Sequence, residues 1–99
     1  MIKVKVTKKC ISVLGHADYD DYGKDIVCAS VSSIVLCSVE AVARFDIKAI
    51  DIKQSKDKLD IIINSNDNIT QNLITNMLNC LKELEKNYPK NIEITDKEE

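Results

Sequence analysis

The feature that most constrains the fold is a segment of about twenty residues, 24–44, that carries charge only near its ends and contains no turn signal. By composition it could form two buried strands, but such a length without a turn favours one helix. Asp25 near its start and Arg44 near its end suit the helix dipole. The longest uncharged run, residues 26–39, has fourteen residues, whereas a membrane span needs about 20. We therefore expect one core helix and no membrane segment.

Strand patterns lie on both sides of this helix. Apolar residues alternate with lysines in Ile2–Val6, and Cys10–Leu14 is a second short apolar run. The two are predicted to pair as a hairpin across a short turn. Residues 47–53 and 58–64 are two more strand candidates, joined by a loop at residues 54–57.

A second helix is predicted after the fourth strand. Asn68 is its expected first residue, with Gln71 as the capping-box partner. Pro89 is expected to end it, and residues 91–95 form a last short strand. Apolar residues at helical spacing predict one face that packs on the core: Ile69, Leu73, Met77, Leu81, Leu84 and Tyr88.

The element order ββαββαβ predicts an α+β domain over residues 1–95, with a charged tail at residues 96–99. We expect a two-layer sandwich, with two helices on a mixed or antiparallel sheet. Fourteen basic against sixteen acidic residues give a net charge of -2. Nucleic-acid and membrane surfaces both attract clustered Lys and Arg, so this balance argues against either as the direct partner. Lys3 and Lys5 interrupt the first apolar residues, which argues against a signal peptide and favours a cytoplasmic protein.

The cysteine pattern argues against a metal site. Cys10, Cys28, Cys37 and Cys80 show none of the paired short spacings typical of zinc ligands, and His16 is the only histidine. In a chain without a leader the cysteines are expected to be reduced. Three of the four are expected to be small buried hydrophobes. We expect neither a metal nor an organic cofactor.

His16 and Cys28 are the candidate reactive pair. His16 follows the second predicted strand, and Cys28 lies in the first turn of the long helix. The pKa of a free cysteine thiol is about 8.5, and a helix N-terminus or a neighbouring imidazolium lowers it to roughly 3.5–7.5. If the strand end and helix start adjoin, the two could act as in a cysteine protease, with first-turn N–H groups free to bind an oxyanion. Composition and placement alone favour the structural alternative, a solvent-facing histidine and a core cysteine.

The stretch GHADYDDYGKDIVCASVS at residues 15–32 resembles the signature of the ribosomal-processing cysteine protease family, Prp. That signature is Gly-His-Ala, a short variable loop, Gly-x-Asp-Ile-Val-Cys-Ala-Ala and then Val-Ser. Ser30 departs from it, since Ala is usual there. Eleven positions agree in two blocks: Gly15-His16-Ala17, Gly23, Asp25-Ile26-Val27-Cys28-Ala29 and Val31-Ser32. The chain length and element order also resemble the family, so the resemblance covers nearly the whole chain.

The resemblance implies that His16 and Cys28 are a catalytic dyad. It implies a cytosolic endopeptidase that removes a short N-terminal extension from the precursor of the twenty-seventh large-subunit ribosomal protein in Firmicutes and related bacteria. Ribosome maturation requires this step, because the extension would obstruct the peptidyl-transferase region. The resemblance also implies a homodimer, and a substrate with aromatic residues just before the scissile bond.

Two further residues, Asp25 and Ser32, are candidates for supporting roles in the site. Asp25 is most simply a charge at the helix N-terminus, and orienting the dyad or the loop is the alternative. Ser32 lies four residues after Cys28, on the same helix face. Its hydroxyl is expected either to bond back to the Cys28 carbonyl or to take part in the site.

The segment between His16 and Cys28 reads as an exposed loop. Gly15 and Gly23 are expected to be its hinges, and Tyr19 and Tyr22 could pack on a bound peptide or shield the loop. Two other functions stay open: a non-catalytic module that binds a ribosomal protein, and an RNA-binding domain of the same fold. The intact dyad argues against the first, and the lack of a basic cluster argues against the second.

Overall fold

The computed structural model describes residues 1–15 and 25–96. Its elements are β1 (Ile2–Val6), β2 (Cys10–Leu14), α1 (Ile26–Phe45), β3 (Ile50–Ser55), β4 (Lys58–Ile63), α2 (Asn68–Asn87) and β5 (Ile92–Asp96). The predicted order ββαββαβ is confirmed, and the long apolar segment is one helix. The strands form one sheet in the order β3-β4-β2-β1-β5. β1 and β5 are parallel and the other pairs are antiparallel, so the fold is α+β with a mixed sheet.

The core lies between one face of the sheet and the two helices. In β1 the apolar side chains are buried and the lysines are exposed, as the period of two predicts. The helices pack against each other and bury apolar side chains at helical spacing. The largest side chains that are essentially fully buried come from both layers: Ile11, Ile61 and Ile92 of the sheet, and Met77 and Leu81 of α2.

By length and composition alone, α1 is the one helix in the described part of the chain that could cross a membrane. Helices in the cores of soluble proteins pass the same test, so this evidence is weak. Asp25 caps its N-terminus and Arg44 lies in its last turn, as expected. Four valines of α1 are buried: Val27, Val31, Val35 and Val42.

The β3–β4 hairpin differs from the prediction at both ends of β3. Asp46 caps the end of α1, and its carboxylate accepts a hydrogen bond from the Lys48 N–H at 3.0 Å. The chain therefore turns before β3, which begins at Ile50. At the other end β3 continues to Ser55, which pairs with Lys58. The predicted four-residue loop is a two-residue turn, whose second residue, Asp57, has a φ of 64°.

The cap of α2 is one residue earlier than predicted. Asp67, not Asn68, is the N-cap, and its carboxylate accepts a hydrogen bond from the Thr70 N–H at 2.8 Å. The hydrogen bond from Ser65, followed by that from Thr70, lowers the pKa of Asp67. Gln71 makes no capping box with Asn68; its side chain donates to the Ser65 carbonyl at 3.0 Å.

The buried face of α2 also departs from the prediction at its N-terminal end. Met77 and Leu81 are fully buried, as expected, but Ile69 is 48% exposed. Thr70 and Ile74 occupy the buried positions there. Each step of four residues along a helix turns the side-chain direction about 40° past a full turn. Positions extrapolated in steps of four from Met77 towards the N-terminus therefore move progressively away from the core.

The expectation of three buried cysteines is wrong. Cys37 and Cys80 are exposed, and Cys10 is half-buried. Cys37 and Cys80 lie on helix faces turned away from the sheet, and Cys10 lies on the sheet face opposite the helices, beside Ser12. None of the four cysteines forms a disulfide bond.

Candidate functional site

The start of α1 is fixed by Asp25. Its Oδ1 accepts hydrogen bonds from the N–H groups of Val27 at 3.0 Å and Cys28 at 2.9 Å. Its carbonyl accepts from the N–H of Ala29 at 3.2 Å. Asp25 is thus the N-cap, which satisfies donors that a helix start otherwise leaves open. The expectation that first-turn amides are free for an oxyanion is wrong for Val27 and Cys28, because Asp25 accepts both.

Cys28 is the third residue of α1 and is half-buried. It packs against the edge of the core and opens into a cavity of about 530 Å³. This cavity lies between α1 and the β3–β4 hairpin and is mostly apolar. A thiol at a helix start, next to an apolar cavity, is suitably placed to attack a bound carbonyl.

Gly15, at the end of β2, lines the same cavity as Cys28. Its N–H donates to the Asp57 carbonyl at 3.0 Å, which ties the end of β2 to the β3–β4 turn. Its φ is 83°, and a Cβ there would lie 2.9 Å from the Met1 carbonyl oxygen. The backbone that leads directly into His16 is therefore fixed beside the cavity.

Several predicted site residues lie outside the described residues. These are His16, Tyr19, Tyr22 and Gly23. The pairing of the His16 imidazole with the Cys28 thiol therefore stays a prediction. What the structure brings together is Gly15, Cys28 and Ser32, which all line one cavity.

Ser32 is exposed and lies one helical turn beyond Cys28. Hydroxyl groups on α1 do bond back to carbonyls four residues earlier, but they belong to Ser30 and Ser38. Between the two described residues Ser32 and Cys28 there is no such bond. Ser32 lies in the cavity wall, and its part in the site stays a prediction.

The contribution of the β3–β4 hairpin to the cavity was not predicted from the sequence. Ile52, Gln54, Asp57 and Leu59 line the cavity opposite α1. The alternation of side-chain direction along β3 and β4 identifies which side chains share a face of the sheet. It does not predict that this face lies beside Cys28. Among residues 1–15 and 25–96, no group of three or more His, Cys, Asp or Glu side chains is arranged to hold a metal ion.

Replacing Gly15 with Ala should destabilise the protein by about 1–2 kcal/mol, because an L-residue is strained in the left-handed region and its Cβ would crowd the Met1 carbonyl. The free energy of unfolding in urea measures this loss. Ser55→Ala, at the same end of the sheet in extended backbone, is the control and should stay within about 0.5 kcal/mol of wild type. Equal stability of Gly15→Ala and wild type would contradict the strain at this position.

The chain matches the model of one protein family, Cysteine protease Prp, over residues 1–93. It is 34% identical over 86 residues to the ribosomal processing cysteine protease Prp of Staphylococcus aureus, covering 84% of this chain and 81% of that protein. It is 36% identical over 56 residues to the protein of that name from Mycoplasma genitalium, covering 57% of this chain and 54% of that protein.

Two crystal structures of the S. aureus ribosomal processing protease Prp are similar to this fold. The one with a covalently linked product peptide has a TM-score of 0.93 and 30% identity, covering 98% of this chain and all of that chain. The one with a substrate peptide has a TM-score of 0.86 and 29% identity, with the same coverage. In these relatives the same arrangement of strands and helices binds peptides.

Proposed function

The chain belongs to the cysteine protease Prp family, and from this premise we propose that it removes the N-terminal extension of the twenty-seventh large-subunit ribosomal protein. As a member of this family it is a ribosomal-processing cysteine protease, a hydrolase of peptide bonds. The observation that carries the proposal is Cys28, a half-buried thiol at the start of α1 that opens into an apolar cavity.

In the proposed mechanism Cys28 and His16 act as a dyad. The Cys28 Sγ attacks the scissile carbonyl while His16 takes the thiol proton. His16 then returns that proton to the leaving amine, and the bond between carbonyl carbon and nitrogen breaks. Water, deprotonated by His16, hydrolyses the resulting thioester. The position of Gly15 in the cavity wall supports this pairing, since only one peptide bond separates it from His16.

The cap at Asp25 changes how the oxyanion is stabilised in this mechanism. The N–H groups of Val27 and Cys28 are already bonded to its carboxylate. Their bonds hold Cys28 in one orientation at the helix start. The positive end of the α1 dipole then contributes to stabilising the developing negative charge. No metal or organic cofactor takes part in this chemistry.

To test the proposal, the protein is incubated with a peptide that spans the extension junction, and the products are identified by mass spectrometry. Cleavage at one bond is the expected result. Binding without cleavage would identify the chain as a non-catalytic binding module and overturn the proposal. Binding of ribosomal RNA with no effect on the peptide would instead favour the RNA-binding alternative.

Cys28 should alkylate faster than the other three cysteines at neutral pH. Solvent exposure alone predicts faster alkylation of Cys37 and Cys80, because both are exposed whereas Cys28 is half-buried. The helix N-terminus and the proposed imidazolium favour the Cys28 thiolate, which is the reactive form. Brief iodoacetamide treatment and peptide mapping measure the order. Faster labelling of Cys37 or Cys80 would show that accessibility governs and that the Cys28 thiol is not activated.

We further propose that the protein acts in the cytoplasm as a homodimer. Four cysteines without a disulfide suit a reducing compartment. Two neighbouring apolar side chains are exposed and could form a protein interface: Phe45 is 48% exposed and Ile47 is 77% exposed.

Ile47→Asp should shift the sedimentation of the dimer to that of a monomer, whereas Ile69→Asp on α2 should not. An unchanged dimer in Ile47→Asp would exclude this patch as the interface.

A further inference from the structure

The cavity that begins at Cys28 continues as a trench along α1. Residues on one face of the helix line it as far as Val39. About three helical turns separate Cys28 from Val39, a distance of roughly 16 Å. An extended peptide covers this distance with about five residues. The trench is therefore long enough to hold a substrate segment well beyond the reacting bond.

The far end of the trench is apolar and open. Leu36 on α1 is 60% exposed, and Ile52 on the edge strand β3 is 42% exposed. Together with the half-buried Val39, they line the trench from both sides. Nearer to Cys28, Val31 and Val35 are each only 4% exposed, so their side chains are already packed in the core. Apolar area that a bound side chain can still remove from water is concentrated at the far end.

The strand side of the trench also offers polar groups. Gln54 and Ser55 line it between Ile52 and the turn at Asp57. A groove with apolar walls and a few polar groups suits an extended peptide, whose backbone needs hydrogen-bond partners. The trench is continuous with the nucleophile, which identifies its occupant as the substrate of Cys28.

We propose that Leu36, Val39 and Ile52 form a distal subsite that binds an apolar side chain of the substrate, about five residues before the scissile bond. This inference rests on the proposed function. The segment before the scissile bond stays linked to Cys28 as a thioester until water attacks. Contacts to that segment can therefore stabilise the transition states of both acylation and deacylation. Contacts to the leaving segment can stabilise only the acylation step, because that segment departs when the thioester forms.

The test compares two junction peptides, one that extends with apolar side chains to at least the fifth residue before the bond and one truncated to three residues before it. Wild-type protein should lose about tenfold in kcat/KM on truncation, the effect of half-burying one large apolar side chain. In Leu36→Asn and Ile52→Asn the ratio of kcat/KM between the longer and the truncated peptide should fall from about tenfold towards one. The control is Ile69→Asn, at a 48% exposed position on α2 outside the trench, which should keep the full difference.

The outcomes separate this inference from the proposed function. If wild type cleaves both peptides equally, or if both trench variants keep the tenfold difference, the subsite is wrong while cleavage still supports the protease. If wild type cleaves neither peptide, the proposed function fails, and the subsite with it. Thermal unfolding of each variant excludes loss of the fold as the cause.

Discussion

Cys28→Ala should abolish cleavage of the junction peptide, with a loss in kcat/KM of at least about a thousandfold. The thiol is the proposed nucleophile, and of the four cysteines, all of which the structure describes, only Cys28 lines the cavity. His16→Ala should have a comparable effect, because without the base the thiol is not activated. The double variant should be no worse than either single one, since the two residues act as a unit. Single-turnover assays by mass spectrometry measure all three.

The matched controls are Cys37→Ala and Cys80→Ala. Cys37 lies on the same helix as Cys28 and is exposed, and Cys80 is exposed on α2. Both variants should cleave at the wild-type rate. Cys28 only packs against the edge of the core, so Cys28→Ala should keep a cooperative thermal unfolding transition. Cleavage by Cys28→Ala at the wild-type rate would mean that another group performs the reaction.

We expect aromatic residues just before the scissile bond of the substrate, and replacing them with Ala should lower kcat/KM by roughly two to three decades. Full burial of one large side chain in the cavity contributes about 1.5–3 kcal/mol. Stacking on Tyr19 or Tyr22 would add about 0.5–1.5 kcal/mol. These contacts change the rate constant to the extent that they are made in the transition state. Steady-state kinetics on matched Phe and Ala peptides measure the loss.

Salt separates this apolar recognition from charge recognition. Asp18, Asp20 and Asp21 should attract a basic substrate, and this attraction should weaken as the ionic strength rises. The difference between the Phe and Ala peptides should persist at high salt. The control is a variant with all three aspartates changed to Asn. Its kcat/KM should no longer depend on salt, while the difference between the Phe and Ala peptides should remain. Unchanged efficiency after Phe→Ala substitution would show that the protein selects its substrate in another way.

Sequence patterns predicted the elements where a local rule applies. The alternation in Ile2–Val6 and the uninterrupted segment that forms α1 specified their structures, because each depends on residues a few positions apart. The same local rules failed at element ends. The N-cap of α2 is Asp67 rather than Asn68. The turn stabilised by the Asp46 carboxylate places the start of β3 later than predicted. These choices depend on which side chain reaches a backbone amide, and several neighbouring residues could do so.

The order of elements, the position of Cys28 in the first turn of α1 and its spacing from His16 could all be predicted from the sequence. The placement of the β3–β4 hairpin beside that turn could not, because it depends on the tertiary structure. Strand order and register depend on hydrogen bonds between segments far apart in the chain, which no local periodicity encodes. That pairing brings Asp57 to Gly15 and Ile52 to the side of the trench opposite Leu36. The proposed nucleophile can thus be identified from the sequence, whereas the surface that would hold its substrate exists only once the sheet has formed.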